Sequence, residues 1–452
     1  MQLSGKRVAV VGMGASGVSA ARLCVAKGAT VVGFDEAPLE TLSARPAVAG
    51  LVGVELRSER LHRELLRGFE LAIVSPGIPD HEAFRSAEAA GTEVLGELEL
   101  AARYLETPIA LIGGTNGKST TTALVAAILE AAGRRVFLGG NFGTPLADAV
   151  GGNYDVHVVE ISSFQAERVP TLHAKAHALL NITDDHLDRY ASFEDYARAK
   201  GNPFVPMESG DAAVVPHGDP LCAQQARRGR ADLITFGLEE DVATVCPSGT
   251  RLVHRLRGFD VARSALRLAG THNLANACAA LGVVGAFDLG SVAEANDAIE
   301  RALGSFEGLG HRCVFVRETR GVRFYDDSKG TNVGASVAAL GGLIEAKAVL
   351  IAGGRDKQGA YEPLVEALRA KGRALVVLGE AAERIAGAAE GVLPVERAST
   401  MEEAVRIAAE HASPGDAVLL SPACSSFDMF ANYKERGEAF VAAVERLDGR
   451  GA

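Results

Sequence analysis

The stretch Gly113-Gly114-Thr115-Asn116-Gly117-Lys118-Ser119-Thr120 constrains this chain more than any other. It follows an apolar run, Ile109-Ala110-Leu111-Ile112, and opens a helical pattern from Thr121 to Ala132. A strand, a glycine turn and a helix in that order aim several backbone N–H groups at one point, beside the positive end of the helix. Lys118 can reach the outer phosphates of a nucleotide, and the Ser119 hydroxyl can ligate Mg2+. The common phosphate-loop spacing would put glycine at 112, where this chain has Ile112. The bland alternative is a glycine-rich turn without a ligand; the strand-to-helix context favours a nucleoside-triphosphate site.

A chain of 452 residues is too long for one ordinary domain. Strand-like apolar runs alternate with helical stretches nearly throughout, which predicts an α/β fold with mainly parallel sheets. Three domains are expected. An N-terminal Rossmann-like unit (1–96) contains Val8–Val11, Gly12-x-Gly14-x-x-Gly17, a helix over 16–27 and the strand Thr30–Asp35. A central phosphate-loop ATPase unit (97–306) has further strands at Val156–Glu160 and Ala178–Ile182. A C-terminal Rossmann-like unit (307–452) has strands near Val322–Tyr325, Ala348–Ala352, Ala374–Leu378 and Ala417–Ser421. The net charge of −11 argues against a nucleic-acid surface, which needs clustered Lys and Arg. Six scattered cysteines without a Cys-x-x-Cys pair indicate neither zinc nor a disulfide framework, and reduced thiols fit the cytoplasm. The first apolar run is too short for a signal peptide, and none approaches membrane-spanning length.

Several strand ends carry chemistry. Gly12-x-Gly14-x-x-Gly17, with Asp35 ending the next strand, has the form of a cradle for a diphosphate, whether of NAD, FAD or a UDP-sugar. Ser75, before Pro76-Gly77, faces the same end of that sheet. Glu160 closes a buried-looking strand, where a Mg2+ ligand belongs; a helix-capping or solvated glutamate is the alternative. Asn181-Ile182-Thr183-Asp184-Asp185-His186-Leu187-Asp188 sets acids and a histidine after another strand, open to a metal or substrate role. Lys200 reads by default as an exposed helix lysine. Asn273 stands where a helix begins, as a ligand contact or as its N-cap. The turns Tyr325–Asn332, Ala352–Lys357 and Ser421–Asp428 put polar residues at three strand ends, where open α/β sheets bind ligands.

Taken together these motifs resemble the Mur ligases, ATP-dependent enzymes that add amino acids to the peptidoglycan precursor. The resemblance rests on Gly114–Thr120, Ser75-Pro76-Gly77-Ile78, Glu160–Gln165, Asp185–Tyr190, His272-Asn273-x-x-Asn276, His311-Arg312, Asp327–Asn332 and Ser421–Ser426, which follow in the family's order across nearly the whole chain. It implies addition of D-glutamate to UDP-N-acetylmuramoyl-L-alanine through an acyl phosphate. Ala15, Ser16, Asp35 and Ser75 would contact the nucleotide end of the UDP-sugar, with Asn141 and His186 nearer the muramoyl group. Gly114, Thr115, Asn116, Gly117, Lys118, Ser119 and Thr120 would hold the phosphates of ATP, and Asn273, Arg312 and Asp327 its adenosine half. Lys118, Glu160, His186 and Lys200 would form the catalytic set. Ser119, Glu160, His186 and a carbamate on Lys200 would hold two Mg2+ ions. Lys329, Thr331, Lys357, Ser426 and Tyr433 would receive D-glutamate. A cytoplasmic monomer without nucleic-acid or membrane partners is implied.

The chain departs from the family pattern at Gly201-Asn202-Pro203, which weakens the helix end behind Lys200. It also departs at His217-Gly218-Asp219, at Gly310, where proline is frequent, and at Tyr433, often phenylalanine. Competing readings are another Mur-type ligase or a folylpolyglutamate synthetase-like ligase, an NAD-dependent oxidoreductase built on Gly12–Gly17, and a non-catalytic nucleotide-binding regulator.

Overall fold

Buried apolar runs separated by helices assemble into three sheets in the computed structural model, which describes residues 1–185, 189–268, 270–356 and 360–448. The first sheet uses β1 (Arg7–Val11), β2 (Thr30–Asp35), β3 (Val54–Ser58), β4 (Leu71–Val74) and β5 (Glu93–Gly96). Its order is β3-β2-β1-β4-β5 and every pairing is parallel. The chain leaves β1 toward β2 on one side and returns at β4 on the other, so the carboxyl end of β1 is a topological switch point. That is where Gly12–Gly17 lies. Gly17 is required by close approach: a Cβ there would collide with the Gly12 carbonyl and press on Ser75 Oγ. Only glycine lets the helix Ala15–Ala26 start so near the turn.

The second sheet contains β6 (Ile109–Gly113), β7 (Val136–Gly140), β8 (Val156–Glu160), β9 (Ala176–Leu179), β10 (Ala212–Pro216), β11 (Asp232–Phe236), β12 (Val245–Ser248), β13 (Arg251–His254) and β14 (Phe259–Ala262). Its order is β14-β13-β12-β11-β10-β9-β6-β8-β7; β7 through β12 pair in parallel, and β13 and β14 add an antiparallel edge. Register places Glu160 opposite Ile112, and Leu179 opposite Gly113. The turn after β6 is thus flanked by the ends of β8 and β9. The helix Lys118–Ala131 is buried from Ser119 to Ala126 and again at Ile128 and Leu129. It is covered on one side by the sheet and on the other by the helix Val292–Ser305, so its sequence lacks a polar stripe.

The third sheet contains β15 (Val314–Thr319), β16 (Val322–Asp326), β17 (Ala348–Gly353), β18 (Gly372–Leu378), β19 (Val395–Arg397) and β20 (Ala417–Leu420), in the order β15-β16-β20-β17-β18-β19. Only the β15–β16 pair is antiparallel. The chain packs as two compact units: one holds the first two sheets, and the other comprises Thr183–Phe193, Arg267–Leu274 and Phe306–Ala452.

Two local expectations are corrected. The strand read as Ala178–Ile182 runs from Ala176 to Leu179, so Leu180–Ile182 already belong to the loop beside the phosphate turn. The helix bearing Lys200 extends from Phe193 to Gly201 and is continued by a 3-10 turn, Asn202–Phe204. Pro203 sits at the start of that turn, where no backbone N–H is needed. Lys200 is 5% exposed and is not a solvated helix lysine.

Candidate active site

Gly117 has φ +84°, and a Cβ on it would collide with Asn276 Oδ1, so the loop can close only with glycine here. Asn181, the second residue beyond β9, pins the same loop. Its carbonyl accepts from Thr115 N at 3.0 Å, its Oδ1 accepts from Asn116 N at 2.8 Å, and its Nδ2 donates to Asn116 O at 3.0 Å. Thr115 Oγ1 lies 3.0 Å from the Tyr196 hydroxyl. Lys118 Nζ donates to Thr115 O at 2.8 Å, and Lys200 Nζ donates to Gly114 O at 2.7 Å. Two amines thus converge on the loop from its own helix and from the helix Phe193–Gly201.

Glu160 is 2% exposed at the end of β8 and meets the loop directly, accepting from Ser119 Oγ at Oε2 and from Asn141 Nδ2 at Oε1, the latter at 2.6 Å. A hydroxyl and a carboxylate oxygen together at the rim of an anion cradle are hard donors of the kind Mg2+ takes, with phosphate oxygens and waters completing its shell. Glu160 is therefore neither a helix cap nor a solvated acid. His186 lies outside the described residues, as does Lys357.

In the first sheet, Asp35 reaches back to the glycine turn. It accepts from Met13 N at 2.9 Å and from Ala37 N at 3.0 Å, and Arg45 Nη1 stands 3.4 Å away. Burial acts to raise its carboxyl, but these amides and the guanidinium outweigh it and hold the group below the usual range. Ser75 Oγ donates to Gly12 O at 2.6 Å, so its hydroxyl closes the turn. Ala15 and Ser16 open the helix that follows.

In the third sheet, β16, β20 and β17 are neighbours, and the three polar turns leave their adjacent carboxyl ends. Asp327 accepts from Ser421 Oγ at 2.6 Å and from Cys313 N at 3.2 Å. Arg312 stands between His311 and Cys313, whose φ values of 61° and 52° are both left-handed, a conformation that costs non-glycine residues about 1–2 kcal/mol each. The turn is held by His311 Nδ1, 2.6 Å from Asp326 Oδ2, and by Lys329 N donating to His311 O at 3.0 Å. Lys329 Nζ lies 3.9 Å from the ring centre of Tyr433. Thr331 N donates to Lys329 O at 2.8 Å, and Ser426 is buried in the turn after β20. Asn273 is the third residue of the helix Thr271–Val284, not its cap, and belongs to the same compact unit as Arg312 and Asp327.

Three family models match the chain in order: the MurD-like N-terminal domain of Mur ligases over residues 6–96, the Mur ligase middle domain over 112–284, and the Mur ligase glutamate ligase domain over 311–424. Proteins named UDP-N-acetylmuramoylalanine–D-glutamate ligase are similar along the full length. The one from Syntrophotalea carbinolica is 43% identical over 100% of both chains, and the one from Geotalea daltonii 40% over 99% of both. The chain belongs to the Mur ligases, among the UDP-N-acetylmuramoylalanine–D-glutamate ligases. Among solved structures, a pseudomurein peptide ligase type C from Methanothermus fervidus matches with a TM-score of 0.61 and 18% identity, covering 98% of this chain and 100% of that one. At that identity the likeness shows the three-domain Mur ligase fold alone.

Some residues that brace these turns of the Mur ligase were not legible in the sequence. Arg436, which no motif singled out, is 2% exposed. It donates to Ser328 O at 2.9 Å, Ser328 Oγ at 3.1 Å and Cys424 O at 3.1 Å, joining the turns after β16 and β20. The next residue, Gly437, packs equally close: a Cβ there would strike the His311 ring. Asn181 and Tyr196 were likewise unassigned, since hydrogen bonds between distant segments leave no periodicity.

Asp327 gives a pH prediction. Burial pushes its carboxyl up to about 7, against the Ser421 hydroxyl and Arg312. Because the folded value lies above the unfolded one, its contribution to stability is full below about pH 4 and is lost as pH rises through about 7. Asp327→Asn removes that dependence. Urea unfolding at pH 5 and pH 8 should show the wild type losing on the order of 2 kcal/mol relative to the variant. An equal difference at both pH values would refute the assignment.

Proposed function

We propose that this chain carries out the ATP-dependent ligation of D-glutamate to UDP-N-acetylmuramoyl-L-alanine with the residues gathered at its strand ends. The observation that carries the reading is the meeting of Ser119, Glu160 and Asn141 beside the phosphate loop. The L-alanyl carboxylate attacks the γ-phosphorus of ATP and the bond to the β-phosphate oxygen breaks, leaving an acyl phosphate and ADP. The D-glutamate amine then attacks the acyl carbon, loses a proton, and inorganic phosphate departs. Both partners of the first step are anions, so positive charge is needed at the reacting oxygens.

Gly114–Thr120 bind the triphosphate, with the Lys118 ammonium at its outer end. Ser119, Glu160, His186 and a Lys200 carbamate hold two Mg2+ ions, which supply charge neutralisation at the phosphoryl group. A carbamate suits Lys200 because its nitrogen keeps one N–H, the donor that Gly114 O already accepts. Ala15, Ser16, Asp35 and Ser75 bind the uridine diphosphate, Asn141 and His186 the muramoyl end. Asn273, Arg312 and Asp327 take the adenosine, and Lys329, Thr331, Lys357, Ser426 and Tyr433 take D-glutamate. The domains are 1–96, 97–306 and 307–452, and the enzyme works as a cytoplasmic monomer.

The test is ADP release with UDP-N-acetylmuramoyl-L-alanine as acceptor and paired D- and L-amino acids as donors, with and without Mg2+. Turnover with D-glutamate, absent without Mg2+, is expected. Turnover only with another amino acid, or tight NADH binding without ligation, would overturn the reading.

A further inference from the structure

The loop carrying Asn141 is gripped from the first sheet at two points. Glu97, 3% exposed at the start of the helix Glu97–Ala102, accepts from Ala147 N at 2.6 Å. Asp148 accepts from Ser19 Oγ at 2.7 Å and lies 3.7 Å from Arg22 Nη1. Ser19 and Arg22 belong to the helix Ala15–Ala26, whose first turn is the diphosphate cradle proposed above. Ala147 and Asp148 belong to a 3-10 turn, Leu146–Ala149. Toward its N-terminus only residues 142–145 separate this turn from Asn141, and Pro145 among them has a fixed φ. Gly140 N is tied to Thr144 O at 2.8 Å, so the intervening loop is itself closed. Asn141 bonds Glu160 twice, through its N to Glu160 O at 2.8 Å and through Nδ2 to Oε1. Glu160 in turn meets Ser119.

We propose that the turn Leu146–Ala149 couples the UDP-sugar cradle to the phosphate loop, with Glu97 and Asp148 as positioning residues that set Asn141 against Glu160. The proposal rests on the roles given above to Asn141 and Glu160. The route is one continuous set of short contacts within one compact unit, anchored on the helix that begins at the glycine turn. Glu97 acts as an acceptor of the Ala147 amide, which a glutamine carbonyl can replace. Burial, opposed by that amide, lifts its carboxyl to about 7.

Glu97→Ala, Glu97→Gln, Asp148→Ala and Asn141→Ala separate the possibilities. Glu97→Ala and Asp148→Ala should each lower kcat about 10- to 100-fold, the range found for groups that orient a metal's ligands. Binding of UDP alone, measured by calorimetry, should be unchanged in both, and Glu97→Gln should restore kcat. In an Asn141→Ala background, Glu97→Ala should cost nothing further, because the residue it positions is gone. A kcat unchanged by Glu97→Ala and Asp148→Ala while Asn141→Ala is impaired would overturn the coupling and leave the reading of Asn141 intact. Equal losses from Glu97→Ala in both backgrounds would also overturn it. A neutral Asn141→Ala would overturn both. If Glu97→Ala fails to fold, Asp148→Ala and the double variant with Asn141→Ala carry the same comparison.

Discussion

Lys118→Ala is expected to lower kcat by about 10²–10³-fold or more, the loss typical when one group stabilising transition-state charge is removed from a preorganised site. The ammonium is held at the loop by Thr115 O, 2.8 Å away. Its carbon chain leaves the first turn of a buried helix, so removing the amine leaves the loop's supports at Asn181 in place. The loop should still form and lack only its charge. UDP-sugar binding is proposed for a different sheet, where Asp35 and Ser75 brace the Gly12–Gly17 turn. Calorimetry with UDP-N-acetylmuramoyl-L-alanine should therefore give an unchanged Kd beside the lost turnover. Full ATP-dependent activity in the variant would contradict the assigned role, and joint loss of UDP-sugar binding would show the two cradles to be one.

Glu160→Gln is expected to cost a comparable factor, about 10²–10³ in kcat, and to raise the Mg2+ concentration needed for half-maximal rate. The two losses have different causes. Glutamine keeps one acceptor oxygen, for Asn141 Nδ2 or Ser119 Oγ, and places at the other position an NH2 that can only donate. It also removes the negative charge that a divalent cation requires. A Mg2+ titration of the initial rate distinguishes this from simple misfolding, which would lower the plateau without moving the midpoint. A wild-type midpoint in Glu160→Gln would remove this residue from the metal site.

The turn after β6 could be read because its local pattern is redundant. At β6 the apolar run, the glycines, the lysine and the hydroxyls all point to the same turn, and the structure has that turn. Lys200 is the opposite case. The residues around it gave an exposed helix position, whereas the chain buries it against Gly114 O, 86 residues away. Nothing local marks that burial, because it depends on how the helix Phe193–Gly201 is laid beside β6. Arg436 was illegible for the same reason, since its acceptors Ser328 O and Cys424 O come from two other strand ends.

The order of residues alone determined the three-domain α/β plan and the glycine turns after β1 and β6. Each follows from near-neighbour chemistry: apolar periodicity, glycines where a side chain cannot fit, and polar groups placed just beyond a strand. Tertiary structure decided which strand ends are neighbours, and therefore which polar groups meet. Glu160 reaches Ser119 because β8 lies beside β6 in a register that sets it opposite Ile112. Asn181 reaches the loop because β9 lies on the other side. Strand order depends on contacts summed over whole sheets, and no short window of sequence contains that sum.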